Sequence, residues 1–219
     1  QTDLAEREHQ LSEANDRLLQ MARTDELTGL DNRRYLAERL HDMWRYAQRV
    51  HEPLSIIMCD VDHFKLVNDR WGHQAGDAVI TQFATLLKGI ARETDRVGRF
   101  GGEEFIVLLP GTLGEAATTF AERVRQGVEQ HTFTYAGGTL HRTMSCGVAA
   151  WPHPNITHED ALIKAADDAL YVAKETGRNR VIRFDSREFH EHVAAAKTSG
   201  ERTERERESS VLGQQGSEL

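Results

Sequence analysis

Arg99-Phe100-Gly101-Gly102-Glu103-Glu104-Phe105 lies between two strand-like runs. Asp95-Arg96-Val97-Gly98-Arg99-Phe100 leads in, Phe105-Ile106-Val107-Leu108-Leu109 leads out, and Pro110 ends the second run. Glycine reaches positive φ without steric cost, so the Gly101-Gly102 pair predicts a tight hairpin turn. Two adjacent carboxylates, Glu103 and Glu104, then stand at its tip. Acids on a rigid hairpin suit chemistry on metal-held phosphate. In an isolated turn they would be no more than solvated charge, and a second acidic element favours the first reading.

That element is Leu54-Ser55-Ile56-Ile57-Met58-Cys59-Asp60-Val61-Asp62. Its nearly continuous apolar run predicts a strand buried on both faces. A carboxylate is costly there unless it is paired or meets a cation, which places Asp60 at the strand end, pointing into a site. Asp62 is expected to N-cap the next helix, with His63, Phe64 and Lys65 forming its first turn. Free backbone N–H groups in such a turn attract phosphate, and Lys65 adds a point charge. Acidic strand end, helix N-terminus and acidic hairpin together describe a magnesium–nucleotide site.

With these residues in view, the chain resembles the GGDEF family of diguanylate cyclases, the signature being written here Gly101-Gly102-Glu103-Glu104-Phe105. The resemblance spans residues 22 to 185. It also includes Asp25-Glu26-Leu27-Thr28-Gly29-Leu30-Asp31-Asn32-Arg33-Arg34, the segment Asp60–Lys65, Asn68-Asp69, Gly72-His73 and Gly76-Asp77. Ala166-Asp167-Asp168-Ala169-Leu170-Tyr171 and Ala173-Lys174 through Gly177-Arg178-Asn179 complete it. Spaced motifs in this order are far more specific than a five-residue signature. The resemblance implies an α/β (α+β) fold, the palm-like domain of nucleotidyl cyclases, with a mostly antiparallel central sheet flanked by helices and preceded by an N-terminal helix.

It further implies a diguanylate cyclase that condenses two GTP into cyclic di-GMP and two pyrophosphates, with Mg2+ as cofactor and Mn2+ able to substitute. The matching metal positions are Asp60, the Val61 carbonyl, Glu103 and Glu104. Glu103 and Glu104 are the catalytic acids, and Glu103 matches the position of a proposed general base. A cation that lowers the hydroxyl's pKa would make that base unnecessary, so both assignments stay open. His63, Phe64, Lys65, Asn68, His73, Asp77, Lys174 and Arg178 match substrate-contacting positions. A carboxylate at Asp77 can accept from guanine's N1–H and amino group, whereas adenine presents an acceptor at N1. Asp77 could equally N-cap the helix that follows. Lys174 and Arg178, four apart, are expected to share a helix face as phosphate clamps, or to offset the helix dipole. Arg92, Asp95 and Arg123 match an allosteric product site, and Arg92-Glu93-Thr94-Asp95 could also be a helix-end salt bridge.

The net charge of −8 over 219 residues excludes a general nucleic-acid binder, which would carry a basic surface. Cys59 and Cys146 lie in apolar runs without metal spacing and read as buried reduced thiols. No apolar stretch reaches the length of a membrane span, so this fragment is expected in the cytoplasm. The start at Gln1 suggests a cut from a longer parent, which a missing upstream region could attach to a membrane. Leu4, Leu11 and Leu18 recur every seven residues, which reads residues 1–21 as the last heptads of a signalling coiled coil or as a solvated helix. Residues 22–186 are expected to form the catalytic domain. Residues 187–219, with their mixed charge run, read as a disordered tail.

Between these ends a helix is expected over 32–50, another over Asp77–Arg92, and a third carrying Ala116, Phe120, Val124 and Val128. Strands are expected over 132–136, 139–150 and 180–184. Thr157 with Asp160 suggests a capping box, and Gly177 a helix C-terminus. One domain supplies one GTP site, and a twofold product needs two facing sites, so the expected active species is a homodimer. Two other readings use the same residues: a non-catalytic receptor for GTP or cyclic di-GMP, which loss of Asp60 or of the hairpin acids would favour, and an enzyme making a mixed cyclic dinucleotide, which loss of Asp77 would favour.

Overall fold

The computed structural model describes residues 23–196. β1 (Asp31–Asn32) leads into α1 (Arg33–Val50), β2 (Leu54–Val61), α2 (Phe64–Trp71) and α3 (His73–Ile90). The hairpin β3 (Arg96–Gly101) and β4 (Glu104–Pro110) follows, then α4 (Gly114–Gln130). A small hairpin of β5 (Phe133–Tyr135) and β6 (Gly138–Leu140) precedes β7 (Met144–Trp151), α5 (Glu159–Glu175) and β8 (Val181–Arg183). The main sheet runs β1-β3-β4-β2-β7-β8. Its inner pairs are antiparallel, and only β1–β3 and β7–β8 are parallel. This is the mostly antiparallel, helix-flanked α/β architecture expected from the sequence.

β2 occupies the middle of the sheet and is buried at every residue. Successive side chains of a strand point to opposite faces, so β2 feeds two cores. Ile57, Cys59 and Val61 pack with Val79, Phe83 and Leu87 of α3 and Val124 and Val128 of α4. Leu54, Ile56 and Met58 pack with Leu36, Leu40 and Trp44 of α1 and Leu162 and Ala166 of α5. Asp60 has the parity of Met58 and therefore faces the α5 side. Cys59 and Cys146 are buried free thiols on neighbouring strands, as expected.

Several local readings are corrected. α3 begins at His73, not Asp77, because Gly72, at φ 81°, turns the chain between α2 and α3. The strand expected over 139–150 is two strands: β6 pairs only with β5, while β7 joins the main sheet. On α4 the core-facing alanines are Ala117 and Ala121, and Ala116 is exposed. No capping box forms at Thr157: His158 is the N-cap of α5, without a side-chain capping bond. Gly177 does close α5, at φ 121°, and the Arg178 N–H reaches back to the Ala173 carbonyl at 2.9 Å. Residues 187–196, expected in the disordered tail, are helical. Ser186 Oγ accepts the Phe189 N–H, and Phe189 is buried against Phe184. The expectations for 1–21 and for the rest of the tail lie outside the described residues. No helix among the described residues is long and apolar enough to cross a membrane.

α5 seats directly on β7 at Gly147, where a Cβ would overlap the Ala166 carbonyl and the Leu170 backbone. Backbone cannot yield as a flexible side chain can. Gly147→Ala is therefore expected to destabilise the fold by about 3 kcal/mol, read as a lower urea midpoint. An unchanged midpoint would show that the helix can slide off the strand at little cost.

Candidate active site

The end of β2 and the β3–β4 turn are joined strand to strand. Asp60 stands opposite Glu104 on β4 and opposite Ser145 on β7. Gly101 pairs with Glu104, so the two turn residues are Gly102, at φ 47°, and Glu103, one position later than the Gly-Gly pair suggested. The Val61 N–H meets the Glu103 carbonyl at 3.4 Å. Arg99 braces the turn: its Nε donates to the Gly102 carbonyl at 2.8 Å, and its guanidinium lies 3.3 Å from Asp25. Asp25 also accepts the backbone N–H and hydroxyl of Thr28. The segment 25–34 is thus the buttress of the acidic hairpin.

Asp60 is 6% exposed, and its carboxylate pairs with Lys174 Nζ of α5 at 2.7 Å. Burial is the main influence on its proton and raises its pKa to about 6; Lys174 opposes the shift, and the charges of Glu103 and Glu104 add to it. Even with its ammonium partner, Asp60 sits where more positive charge is favourable. Carboxylate oxygens beside a strand-end carbonyl are hard donors of the kind Mg2+ and Mn2+ take. Among the described residues no three acidic, His or Cys side chains form a ready-made metal cluster. Mg2+ needs none, since it commonly takes one or two carboxylates and completes its shell with water and substrate phosphate. The residues present fit such an ion.

Of the substrate positions, Phe64 and Lys65 open α2, while His63, left-handed at φ 56°, lies just before it. Asp62 does not cap that helix. Buried, it accepts from the Thr143 hydroxyl at 2.6 Å, the Ser145 hydroxyl at 2.7 Å and the Asn179 N–H at 3.0 Å. Asn68 packs across the α2–α3 corner against Gly76, the residue before Asp77: a Cβ on Gly76 would overlap Asn68 Oδ1. Asp77 lies inside α3, so the capping alternative falls away, and its side chain is exposed. His73, also exposed, is the first residue of α3. Lys174 is in the last turn of α5, whereas Arg178 lies beyond the helix end at φ 62°, so the two do not share a helix face.

Arg92, Asp95 and Arg123 line one cavity of about 410 Å³, floored by Phe120 and Leu109. The Asp95 carboxylate accepts the Arg92 backbone N–H at 2.8 Å, a turn-closing bond in place of the side-chain salt bridge considered from sequence. Arg123 approaches the Ile90 carbonyl at 3.5 Å and lies over the Phe120 ring. Sequence reasoning missed Thr143, Ser145, Arg125 and the role of Asn179; only the Gly177-Arg178-Asn179 run hinted at the last.

A buried acidic strand end beside an acidic hairpin, on a mostly antiparallel sheet, defines the palm-like class of nucleotide domains. The family model described as "Diguanylate cyclase, GGDEF domain" matches residues 22–180, and the chain belongs to that family. It is 43% identical over 169 residues to the response regulator PleD of Caulobacter vibrioides, covering 76% of this chain and 37% of that protein. It is 40% identical over 171 residues to diguanylate cyclase A of Treponema denticola, covering 76% of this chain and 46% of that protein. The chain thus spans less than half the length of these curated relatives. The active GGEEF domain of a Vibrio cholerae diguanylate cyclase superposes with a TM-score of 0.66 at 37% identity, covering 71% of this chain and 97% of that one. The coiled coil and GGDEF domain of DgcB from Caulobacter crescentus, solved with cyclic di-GMP, gives 0.77 at 29% identity, covering 83% and 96%.

The raised Asp60 pKa has a stability consequence with a definite sign. The folded chain holds this proton to about pH 6, the unfolded chain only to about 3.8. Between those values the folded state binds more protons, so stability falls as pH rises through the window. In chelator, Asp60→Asn is expected to have a higher urea midpoint than the parent at pH 7, the gap closing toward pH 4. A less stable Asp60→Asn at pH 7 would mean that the Lys174 bond outweighs burial and the neighbouring acids.

Proposed function

We propose that this domain is a diguanylate cyclase: it condenses two GTP molecules into cyclic di-GMP and releases two pyrophosphates. The observation that carries the reading is the juxtaposition of Asp60, opposite Glu104 and bonded to Lys174, with the Glu103 turn against Val61. Family membership supports it. Asp60, the Val61 carbonyl, Glu103 and Glu104 would hold Mg2+ or Mn2+, which when bound supplies charge neutralisation for the triphosphate and acidifies the attacking 3′-hydroxyl. Phe64 and Lys65 meet phosphate with the N-terminal N–H groups of α2 and an ammonium. Lys174, beside Asp60, and Arg178 would add further positive charge for the triphosphate. Asn68 and Asp77 read the guanine edge, Asp77 by accepting its two neighbouring donors. His63 and His73 flank this segment as further substrate contacts. Glu103 would accept the hydroxyl proton where the bound cation does not itself yield the alkoxide.

Each domain carries one such half-site. The active species is therefore a twofold homodimer that brings one nucleotide's 3′-hydroxyl to the other's α-phosphorus, and alignment of the halves governs the rate. The cavity lined by Arg92, Asp95 and Arg123 is the site for product feedback. Arginines can pair with phosphate and guanine's Hoogsteen edge while Asp95 accepts from guanine N–H groups.

Purified protein incubated with magnesium and GTP is expected to yield cyclic di-GMP by mass spectrometry, and Glu103→Gln to yield none while keeping its circular dichroism spectrum. Near-normal turnover in folded Glu103→Gln would sink the assignment of the hairpin acids. Product inhibition is expected to be non-competitive with GTP and to be relieved by Arg92→Ala with an unchanged KM. Full product sensitivity in Arg92→Ala would leave that residue a structural one.

A further inference from the structure

The turn between α5 and β8 holds one residue, Arg178, in a conformation that residue disfavours. Gly177, Arg178 and Asn179 have φ of 121°, 62° and 48° in succession. Glycine accepts this freely and asparagine readily, but the left-handed region costs an arginine about 1–2 kcal/mol. Consecutive left-handed residues persist only where the surroundings over-determine them.

Asn179 is where the surroundings act. Its N–H donates to Asp62 Oδ2 at 3.0 Å, at the end of β2. Its Oδ1 accepts from Arg125 Nη1 at 2.8 Å, and its Nδ2 donates to Glu129 Oε1 at 2.6 Å, both on α4. Arg125 in turn binds Glu122 and Glu129, so it is fixed before it meets Asn179. The Asn179 amide bond, with help from Arg125, holds the Glu129 carboxyl below its usual range. Asp62 is itself oriented by Thr143 and Ser145 and stands two residues after Asp60. One asparagine thus ties two separate pieces of the fold, the end of β2 and α4, to the turn that carries Arg178.

We propose that Asn179 is a positioning residue: bridging Asp62 to Arg125 and Glu129, it sets Arg178 against the β2 strand end so that the triphosphate is gripped in register with Asp60. The inference rests on the cyclase reading given above and adds the device that places its phosphate clamp. Asp60 and Arg178 lie on segments more than a hundred residues apart in sequence, and α5 ends before Arg178, so helix rigidity alone cannot set their separation. The bond from Asp62 to Asn179 spans that gap directly.

The test compares the parent chain, Asn179→Gly, Arg178→Ala and the double variant in steady-state kinetics with magnesium and GTP. Glycine keeps the left-handed backbone and the N–H to Asp62 while deleting both links to α4. Asn179→Gly is expected to raise KM for GTP by roughly ten- to a hundredfold, as loss of a supporting partner does. If Asn179 acts through Arg178, the double variant matches Arg178→Ala within about twofold. Hydrogen exchange supplies a readout independent of turnover: amides 178–180 are expected to exchange at least tenfold faster in Asn179→Gly, with 162–170 unchanged. Arg125→Gln, which leaves the turn sequence intact, is expected to raise KM in the same direction and decides the matter if Asn179→Gly does not fold. An unchanged KM, or an additive double variant, overturns the proposal while leaving the cyclase reading standing. A parent chain that makes no cyclic dinucleotide overturns that reading and this proposal together.

Discussion

β2 runs through the centre of the protein without an exposed residue, so each carboxylate near its end must be stabilised by what surrounds it. Asp60 meets Lys174, and Asp62, just past the strand, meets two hydroxyls and a backbone N–H. These two solutions organise the domain. The first brings the last turn of α5 over the strand end. The second ties the start of β7 and the α5–β8 turn to the same point. The acidic hairpin closes the other side through β2–β4 pairing. Burial of an acid, costly by itself, thereby becomes the means by which distant segments are registered.

The two acids are satisfied differently, and the difference separates their roles. Asp62 accepts three short bonds from neutral donors, an arrangement that suits structural duty. Asp60 has one cationic partner and two acidic neighbours, and its raised pKa records burial first, with the charges of Glu103 and Glu104 adding to it. A buried carboxylate with a perturbed pKa beside other acids is the pattern that functional sites share, and structural ion pairs can produce it too. The apparent redundancy of the Asp60-Val61-Asp62 sequence dissolves in the fold: one acid pairs with a lysine beside the acidic hairpin, the other ties β7 and the α5–β8 turn together.

Much of this was legible in sequence because it rests on local chemistry. Gly101-Gly102 between alternating runs announces a hairpin, and the apolar stretch 54–59 announces a doubly buried strand. Gly177 marks the end of α5 by the same conformational logic. Residues 187–196 went unread as structure because their order comes from Phe189 packing on Phe184, a contact that their polar composition obscures. The strand expected over 139–150 divides because β6 and β7 take different partners, which periodicity cannot register.

The sequence by itself determined the family, the hairpin acids, the acidic end of β2 and the three residues that gather at the second cavity, since each is written in residue type and short spacing. Only the tertiary structure decided what Asp62 does, where Arg178 stands relative to α5, and that Asn179 joins both to α4. Asp62 finds Thr143, Ser145 and Asn179 between 81 and 117 residues away. An aspartate before a helix looks like a cap from its neighbours in sequence. Its bonds go to whichever donors the fold brings nearest, and folding against β7 and the α5 turn brought stronger ones.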